Sequence, residues 1–267
     1  MRRTVVMNQR GGCGKTTTAI ALARYLADIG QRTLLVDADP QGTIDSMLRL
    51  SPRYYLYNFL MDRIALEDCV VKNAVPHLDV LCGARNTAAA ETHFQGHLVR
   101  ERIFEDSFAD QDSIYDAVVL DVAPSVSLMQ TCATVYARNV LIPVNMDTIS
   151  VAGAGACLQF CQTLGRAMRS NINVAALLPT IVDARVSLTK AALSLIDGLS
   201  ERYSIPVLQS IRIDATISKA VRAKQFLADY DPRSRAWEDY KSAFEKLMQL
   251  PLIEGVSHVS QSISEAV

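Results

Sequence analysis

What the sequence lacks narrows its reading first. It has no Cys-x-x-Cys pair, because Cys13, Cys69, Cys82, Cys132, Cys157 and Cys161 stand apart along the 267 residues. A disulfide framework or a zinc site needs cysteines in closer sets, so reduced thiols in a cytosolic protein are expected. Cys157 and Cys161 fall on one helix face, as packing residues. Bilayer-length apolar runs are missing too: the stretch from Ala152 to Leu164 is short and is interrupted by Gln159 and Gln162. Met1-Arg2-Arg3 leads straight into a strand, without the apolar segment of a secretory signal. Excess charge is absent, the net being −1, so any nucleic-acid contact has to come from a local patch. No repeat, low-complexity tract or linker divides the chain. What remains is 49% apolar, enough for a core covered on both faces. The length suits one α/β domain over residues 1–250, followed by a tail at 251–267.

The most informative stretch is Gln9-Arg10-Gly11-Gly12-Cys13-Gly14-Lys15-Thr16-Thr17-Thr18. It follows the apolar run Thr4 to Met7 and precedes a helical pattern from Ala19 to Leu26. Strand, glycine-rich turn and helix in that order make a phosphate cradle. The glycines let backbone N–H groups face an anion, and the helix N-terminus adds its positive end. Gly11, Gly12, Cys13, Gly14 and Thr17 belong to the cradle. Lys15 reaches the terminal phosphates, and the Thr16 hydroxyl is a magnesium ligand. The strict motif requires glycine where this chain has Gln9, so the loop is a variant.

Two later strands end in acids. Arg32 to Asp37 runs into the polar turn Ala38-Asp39-Pro40-Gln41-Gly42, and Tyr115 to Asp121 runs into Val122-Ala123-Pro124-Ser125. Ligands of open α/β sheets sit at such carboxyl ends. Asp37 and Asp121 are placed to hold magnesium through water, since this ion keeps several of its waters. Short helices are expected from Tyr54 to Val71, with Tyr54, Tyr55, Tyr57 and Phe59 in the core. Further helices are expected at Thr87 to Glu105, Val126 to Tyr136, Ile149 to Met168 and Ser234 to Leu250. Further strands are expected at His77 to Cys82, Asn139 to Val144, Ala175 to Pro179 and Ile205 to Leu208. Gly153 and Gly155 suggest close packing near the start of the long helix. His93 and His97 share a spacing of four, but no third ligand accompanies them, so they are read as solvated. Alternating strands and helices predict a doubly wound, mostly parallel sheet flanked by helices.

Arg10-Gly11-Gly12-Cys13-Gly14-Lys15-Thr16-Thr17 resembles the deviant Walker A loop of the ParA/MinD ATPases, a P-loop NTPase family. That family usually writes Lys-Gly-Gly-x-Gly-Lys-Thr-Thr. Asp37-x-Asp39-Pro40-Gln41-Gly42, Asp121-Val122-Ala123-Pro124-Ser125 and Thr180-Ile181-Val182-Asp183-Ala184-Arg185 follow in the family's order. The resemblance runs from Arg3 to Leu250. It implies ATP and Mg2+ as ligands, with hydrolysis weak until a partner stimulates it. It makes Lys15, Asp39 and Arg10 catalytic, Asp39 orienting the attacking water. The family's signature lysine reaches across an ATP-sandwiched homodimer, and that position is Arg10 here. Arginine keeps the charge and offers a bidentate fork for phosphate.

The nearest kinship implied is with ParA/Soj-type partition ATPases, whose dimers bind DNA without sequence preference, a nucleoid-associated life in the cytoplasm. A ParB-like or cargo-adaptor protein is the implied stimulating partner. The chain starts at the P-loop strand, so no N-terminal DNA-reading domain is expected. Between Arg202 and Lys224, five cations face the lone acid Asp214. Lys219, Arg222 and Arg202 are the candidate DNA contacts, since phosphate neutralisation supplies non-specific affinity. Membrane anchoring of the MinD kind needs a basic amphipathic helix, and Glu254 to Val267 contains no Lys or Arg. Two alternatives stand beside this reading. One is a nucleotide-gated scaffold with little hydrolysis. The other is an iron–sulfur-carrying ATPase, for which Cys132 is the one cysteine near the second acidic strand.

Overall fold

The computed structural model describes residues 1–94 and 96–253. Seven strands alternate with helices. β1 (Arg2–Val6), α1 (Lys15–Asp28) and β2 (Thr33–Asp37) come first, then three short helices, α2 (Ile44–Leu48), α3 (Leu56–Met61) and α4 (Leu66–Cys69). β3 (Val70–Val75) and β4 (Leu78–Leu81) lead to α5 (Thr87–Phe94) and α6 (Ile103–Ser107). β5 (Ala117–Asp121), α7 (Leu128–Ala137), β6 (Asn139–Asn145), α8 (Thr148–Met168), β7 (Asn173–Thr180) and α9 (Ser187–Tyr203) continue the alternation. Three helices close the described chain: α10 (Ala215–Ala223), α11 (Leu227–Tyr230) and α12 (Arg235–Gln249).

The sheet order is β3-β4-β2-β5-β1-β6-β7. Only β3 is antiparallel to its neighbour among the described pairings. β2 reads Thr-Leu-Leu-Val-Asp and β5 reads Ala-Val-Val-Leu-Asp, and every position in both is buried. Such continuous apolar runs, without alternation, belong to strands covered on both faces. One face packs Leu34, Phe104, Tyr136 and Leu158 against α3 to α9. The other packs Leu22, Leu35, Val119 and Phe244 against α1 and α12.

Several expectations need correction. The helix expected from Thr87 to Glu105 stops at Phe94, and helix resumes only at Arg100. Gly96 sits in the gap, where it penalises a helix interior. Leu98 and Val99 face out of the fold while Phe94, Ile103 and Phe104 are buried, so no single helical face could have served the run. His97 therefore lies beyond the helix that carries His93. Their rings lie 5.6 Å apart between centroids, and no three-ligand group forms among the described residues. β3 arises where the expected short helices run out, as one arm of a hairpin. Asn73 takes the left-handed conformation there (φ 49°), its N–H donating to Asp79 Oδ1 at 2.8 Å. Ile205 to Leu208 does not form a strand; it makes an isolated bridge, Leu177 to Val207. Pro206 has no N–H to extend the ladder. Tyr54, Tyr55, Tyr57 and Phe59 are half-buried at the core's margin rather than within it. The chain beyond Ile253, including the stretch without Lys or Arg, lies outside the described residues.

The helices after β7 are held by carboxylates. Asp214 caps α10, Oδ1 accepting from the Thr216 N–H at 2.9 Å, and its Oδ2 accepts from the Ala236 N–H of α12 at 3.2 Å. Arg212 donates a two-pronged fork to Asp239 of α12, which is 2% exposed. Asp214→Ala removes an N-terminal acceptor from two helices at once. It should lower the unfolding free energy by about 2 kcal/mol in urea titrations. Ser234→Ala, which removes one cap from α12, should cost about 1 kcal/mol. Equal losses in the two variants would show that the second bond of Asp214 is idle.

Candidate functional site

The glycine-rich loop between β1 and α1 is fixed from below and open above. Gly12 (φ 76°) and Gly14 (φ 82°) take left-handed conformations that L side chains resist, which turns successive N–H groups toward one side. The Cys13 carbonyl accepts from Thr180 Oγ1 at 2.9 Å, and Arg10 O accepts from Lys15 Nζ at 2.8 Å. Asn8, fully buried, donates to Pro143 O at 2.8 Å and Ser150 O at 3.3 Å, tying the loop's entry to β6 and α8. A Cβ on Gly153 would lie 2.5 Å from Asn8 Oδ1 and 3.2 Å from Arg10 Cβ. The first turns of α8 reach the loop only because that position has no side chain. Lys15 is buried, Thr16 and Thr17 are half-buried, and Arg10 is exposed at the rim.

Two carboxylates are buried beside the loop. Asp37 and Asp121 end adjacent strands, are register partners, and are both 0% exposed. Asp37 accepts from the Ile44 N–H at 3.1 Å and the Asp39 N–H at 3.2 Å. Burial pushes its carboxyl up to about 7, with the Asp39 charge adding to the effect and the two N–H groups opposing it. Neither oxygen of Asp121 has a well-formed hydrogen bond. Burial and then the Asp37 charge raise its pKa, while the Thr16 hydroxyl beside it works the other way. Two adjacent buried acids, one with both oxygens lacking a well-formed hydrogen bond, next to a threonine hydroxyl are a donor set for a hard divalent cation, which takes oxygen ligands.

Asp39 is half-buried in the turn after β2, and its Oδ1 accepts from the Gln41 N–H at 2.8 Å. That leaves Oδ2 for other partners. The turn is pressed onto the end of β4: a Cβ on Gly42 would lie 2.5 Å from Gly83 O, and one on Gly83 2.5 Å from Asp37 O. Beside the loop opens a cleft of about 250 Å3, lined by Gly14, Thr17, Thr180, Ile181, Ile213 and Ile217 among others.

The structure therefore gathers Arg10 to Thr17, Asp37, Asp39 and Asp121 at one edge of the sheet. It does not gather the three basic candidates. Lys219 and Arg222 are exposed on α10, whose first turn adjoins the cleft. Arg202 lies in the last turn of α9, where Tyr203 to Ile205 flank the start of β7 at the opposite edge. Sequence spacing hid this, because the extended segment from Ile205 to Ile213 runs alongside β7, through the bridges Leu177 to Val207 and Val182 to Arg212, and carries the chain from one end of that strand to the other. Cys13 is buried, and burial raises its thiol pKa. Thr180 and Gly153 hold the loop from elements remote in sequence, and Asn8 at its entry reaches Pro143 and Ser150; the glycine pair of α8 was the signal of close packing there.

The comparisons bear on this arrangement. Residues 1–174 match a family model described as an AAA domain. The sporulation initiation inhibitor protein Soj of Bacillus subtilis is 29% identical over 239 residues, 88% of this chain and 93% of that protein. The chromosome-partitioning ATPase Soj of Thermus thermophilus is 32% identical over 192 residues, 71% of this chain and 73% of that protein. The chain belongs to the ParA/Soj family of partition ATPases. Solved structures agree on the fold of this partition ATPase. McdA of Cyanothece in its ATP complex superposes with a TM-score of 0.82 at 18% identity, covering 93% of this chain and 95% of that one. MinD of Pyrococcus horikoshii complexed with Mg-ADP gives 0.74 at 18% identity, covering 92% and 95%. No helix among the described residues is long and apolar enough to cross a membrane.

The carboxylate pair has a testable pH signature. The Asp37 pKa is higher folded than unfolded, so the folded protein keeps a proton that the unfolded chain releases between about pH 4 and 7. The stability contributed by this site therefore falls as pH rises through that window, and Asp121 acts in the same direction. The metal-free melting temperature should drop by about 5 °C or more between pH 5 and pH 8. Mg-ATP should restore most of it at pH 8 and little at pH 5. Asp37→Asn should flatten the pH dependence; if it leaves the slope unchanged, the pair is not its source.

Proposed function

We propose that this partition ATPase binds Mg-ATP at the glycine-rich loop, closes as an ATP-sandwiched homodimer, and in that state binds DNA without sequence preference on the nucleoid. Hydrolysis, stimulated by a ParB-like or cargo-adaptor protein, releases it, and the cycle positions or segregates a plasmid, a chromosome region or a protein assembly. The observation that carries this reading is the convergence of the left-handed glycine loop, Lys15 and the unpartnered Asp121 carboxylate at one edge of the sheet. The Soj relatives and the nucleotide complexes of McdA and MinD support it.

The roles follow from position. Amides from Gly11 to Thr17 cradle the phosphates, and Lys15 leaves the Arg10 carbonyl to meet them. Thr16, Asp37 and Asp121 would hold the magnesium ion, whose contribution is charge neutralisation on the phosphates. Asp39, with one oxygen spare, orients the attacking water. Arg10, exposed at the rim, reaches the partner's nucleotide. Dimerisation is supported by exposed apolar side chains on the loops and first helical turns that follow β5, β6 and β7. Val126 is 59% exposed, Ile149 60%, Ile181 40% and Leu188 69%. Exposed large apolar side chains gathered at one end of a sheet suit a contact face.

Lys219 and Arg222 of α10 are the proposed DNA contacts; Arg202, at the other edge, is left out of that patch. An iron–sulfur carrier is disfavoured by the cysteines. Cys132 is buried, its thiol donates to Arg100 O at 3.1 Å, and burial pushes its pKa up to about 12. A scaffold with little hydrolysis is the alternative raised by Arg10, and turnover unaffected by Asp39→Ala would favour it.

Random-sequence duplex DNA, titrated with ATP, ADP and no nucleotide, tests the proposal. Tight binding is expected only with ATP, strengthened by Asp39→Ala and weakened by salt. Lys219→Ala and Arg222→Ala should each weaken it on every sequence and reduce the logarithmic salt slope by about 1. Equal binding in all three nucleotide states, or none, would overturn the mechanism.

A further inference from the structure

Away from the nucleotide edge, α3, α4, α5 and α6 enclose an open groove of about 490 Å3 that the ATPase reading does not use. Its floor is apolar: Phe59, Leu60, Leu66, Phe94 and Ile103 line it. Its rim is acidic. Asp106 and Asp110 line it. Both are exposed, and among the described residues neither is in an ion pair. Arg63 is the cation that lines the groove.

We infer that this groove is a docking site for a cationic amphipathic segment of a partner protein. Charge selects the occupant. An acidic rim repels nucleic acid and anionic membrane, and it attracts Lys and Arg side chains flanking an apolar anchor. The cationic face of a second copy does not fit. On α10 the residues that line the apolar cavity beneath it are Ile217, Ala220 and Val221, so Ser218, Lys219, Arg222 and Ala223 face outward. That face offers Lys219 and Arg222 with Val221 only 36% exposed between them, its remaining surface turned into the cavity beneath, which is a poor anchor for a floor built from two phenylalanines. The groove also has a mechanical link to the nucleotide edge. The Glu91 carboxylate of α5 accepts from the Met129 N–H of α7 at 3.1 Å, and α7 follows the loop after Asp121.

The test uses the full chain without nucleotide, so that its outcome is independent of the proposed ATP and DNA cycle. The probe is a synthetic helical peptide of about fifteen residues. Leucines lie on one of its faces and lysines on the other, and it carries a photo-cross-linker and a fluorophore. One-to-one binding by anisotropy is expected, with cross-links mapping to residues 59–66 or 103–110. The double variant Asp106→Lys with Asp110→Lys should weaken binding about tenfold or more. Glu245→Lys, an exposed reversal on α12, should leave it unchanged. The same peptide with glutamate in place of lysine should not bind. Cross-links elsewhere, equal weakening by Glu245→Lys, or undiminished binding by the folded double variant would overturn the inference. Circular dichroism and the melting temperature establish that the variant is folded.

Discussion

Two carboxylates that ought to repel each other sit side by side, fully buried, at the ends of β2 and β5. No fold gathers such a pair for stability, because burying a charge without a counter-charge costs free energy. The sheet order puts them there: β1, which launches the glycine loop, lies against β5, and β5 lies against β2. The phosphate cradle and the acid pair are thus brought together by strand pairing, and an incoming cation with an anionic ligand satisfies both. A bound cation would offset the repulsion between the two buried acids.

Around this centre, the rest of the structure supplies stiffness. Asn8 pins the loop's entry to β6 and α8, Thr180 pins its middle from β7, and Gly153 lets α8 close to contact distance. Each of these residues lies on a different element, so the loop's shape reports on the assembly of much of the sheet. Asp39 differs in being held mainly by its own turn, through Gln41. For the water-orienting role proposed for Asp39, a local bond leaves one carboxylate oxygen open as deep packing would not.

The sheet and the phosphate edge were legible in the sequence because their signals are local. Apolar runs ending in acid, glycines before Lys15-Thr16, and alternating elements need no long-range knowledge. What was not legible depended on chain geometry. The break at Gly96 was hidden by a run whose composition favours helix, and β3 by residues that pair only because His77 and Asn73 turn the chain. Arg202 and Lys219 look like neighbours in a list of cations, yet an extended segment running beside β7 separates them. Of the loop's supports, Gly153 announced close packing through its pairing with Gly155, while Asn8 and Thr180 are residue types too common to reveal the bonds they make. The charged groove depends on four short helices meeting, which no single stretch encodes.

The shared carboxylate of Asp214 has a mechanical meaning. Its two oxygens hold the starts of α10 and α12, while its backbone forms part of the cleft beside the glycine loop. α12 is anchored to α1 by Tyr240 against Thr18 and to the 210–214 segment by Asp239. The residue that starts α10, the helix carrying Arg222, is thus also a wall of the cleft beside the glycine loop, so anything that fills that cleft meets the cap of this helix directly.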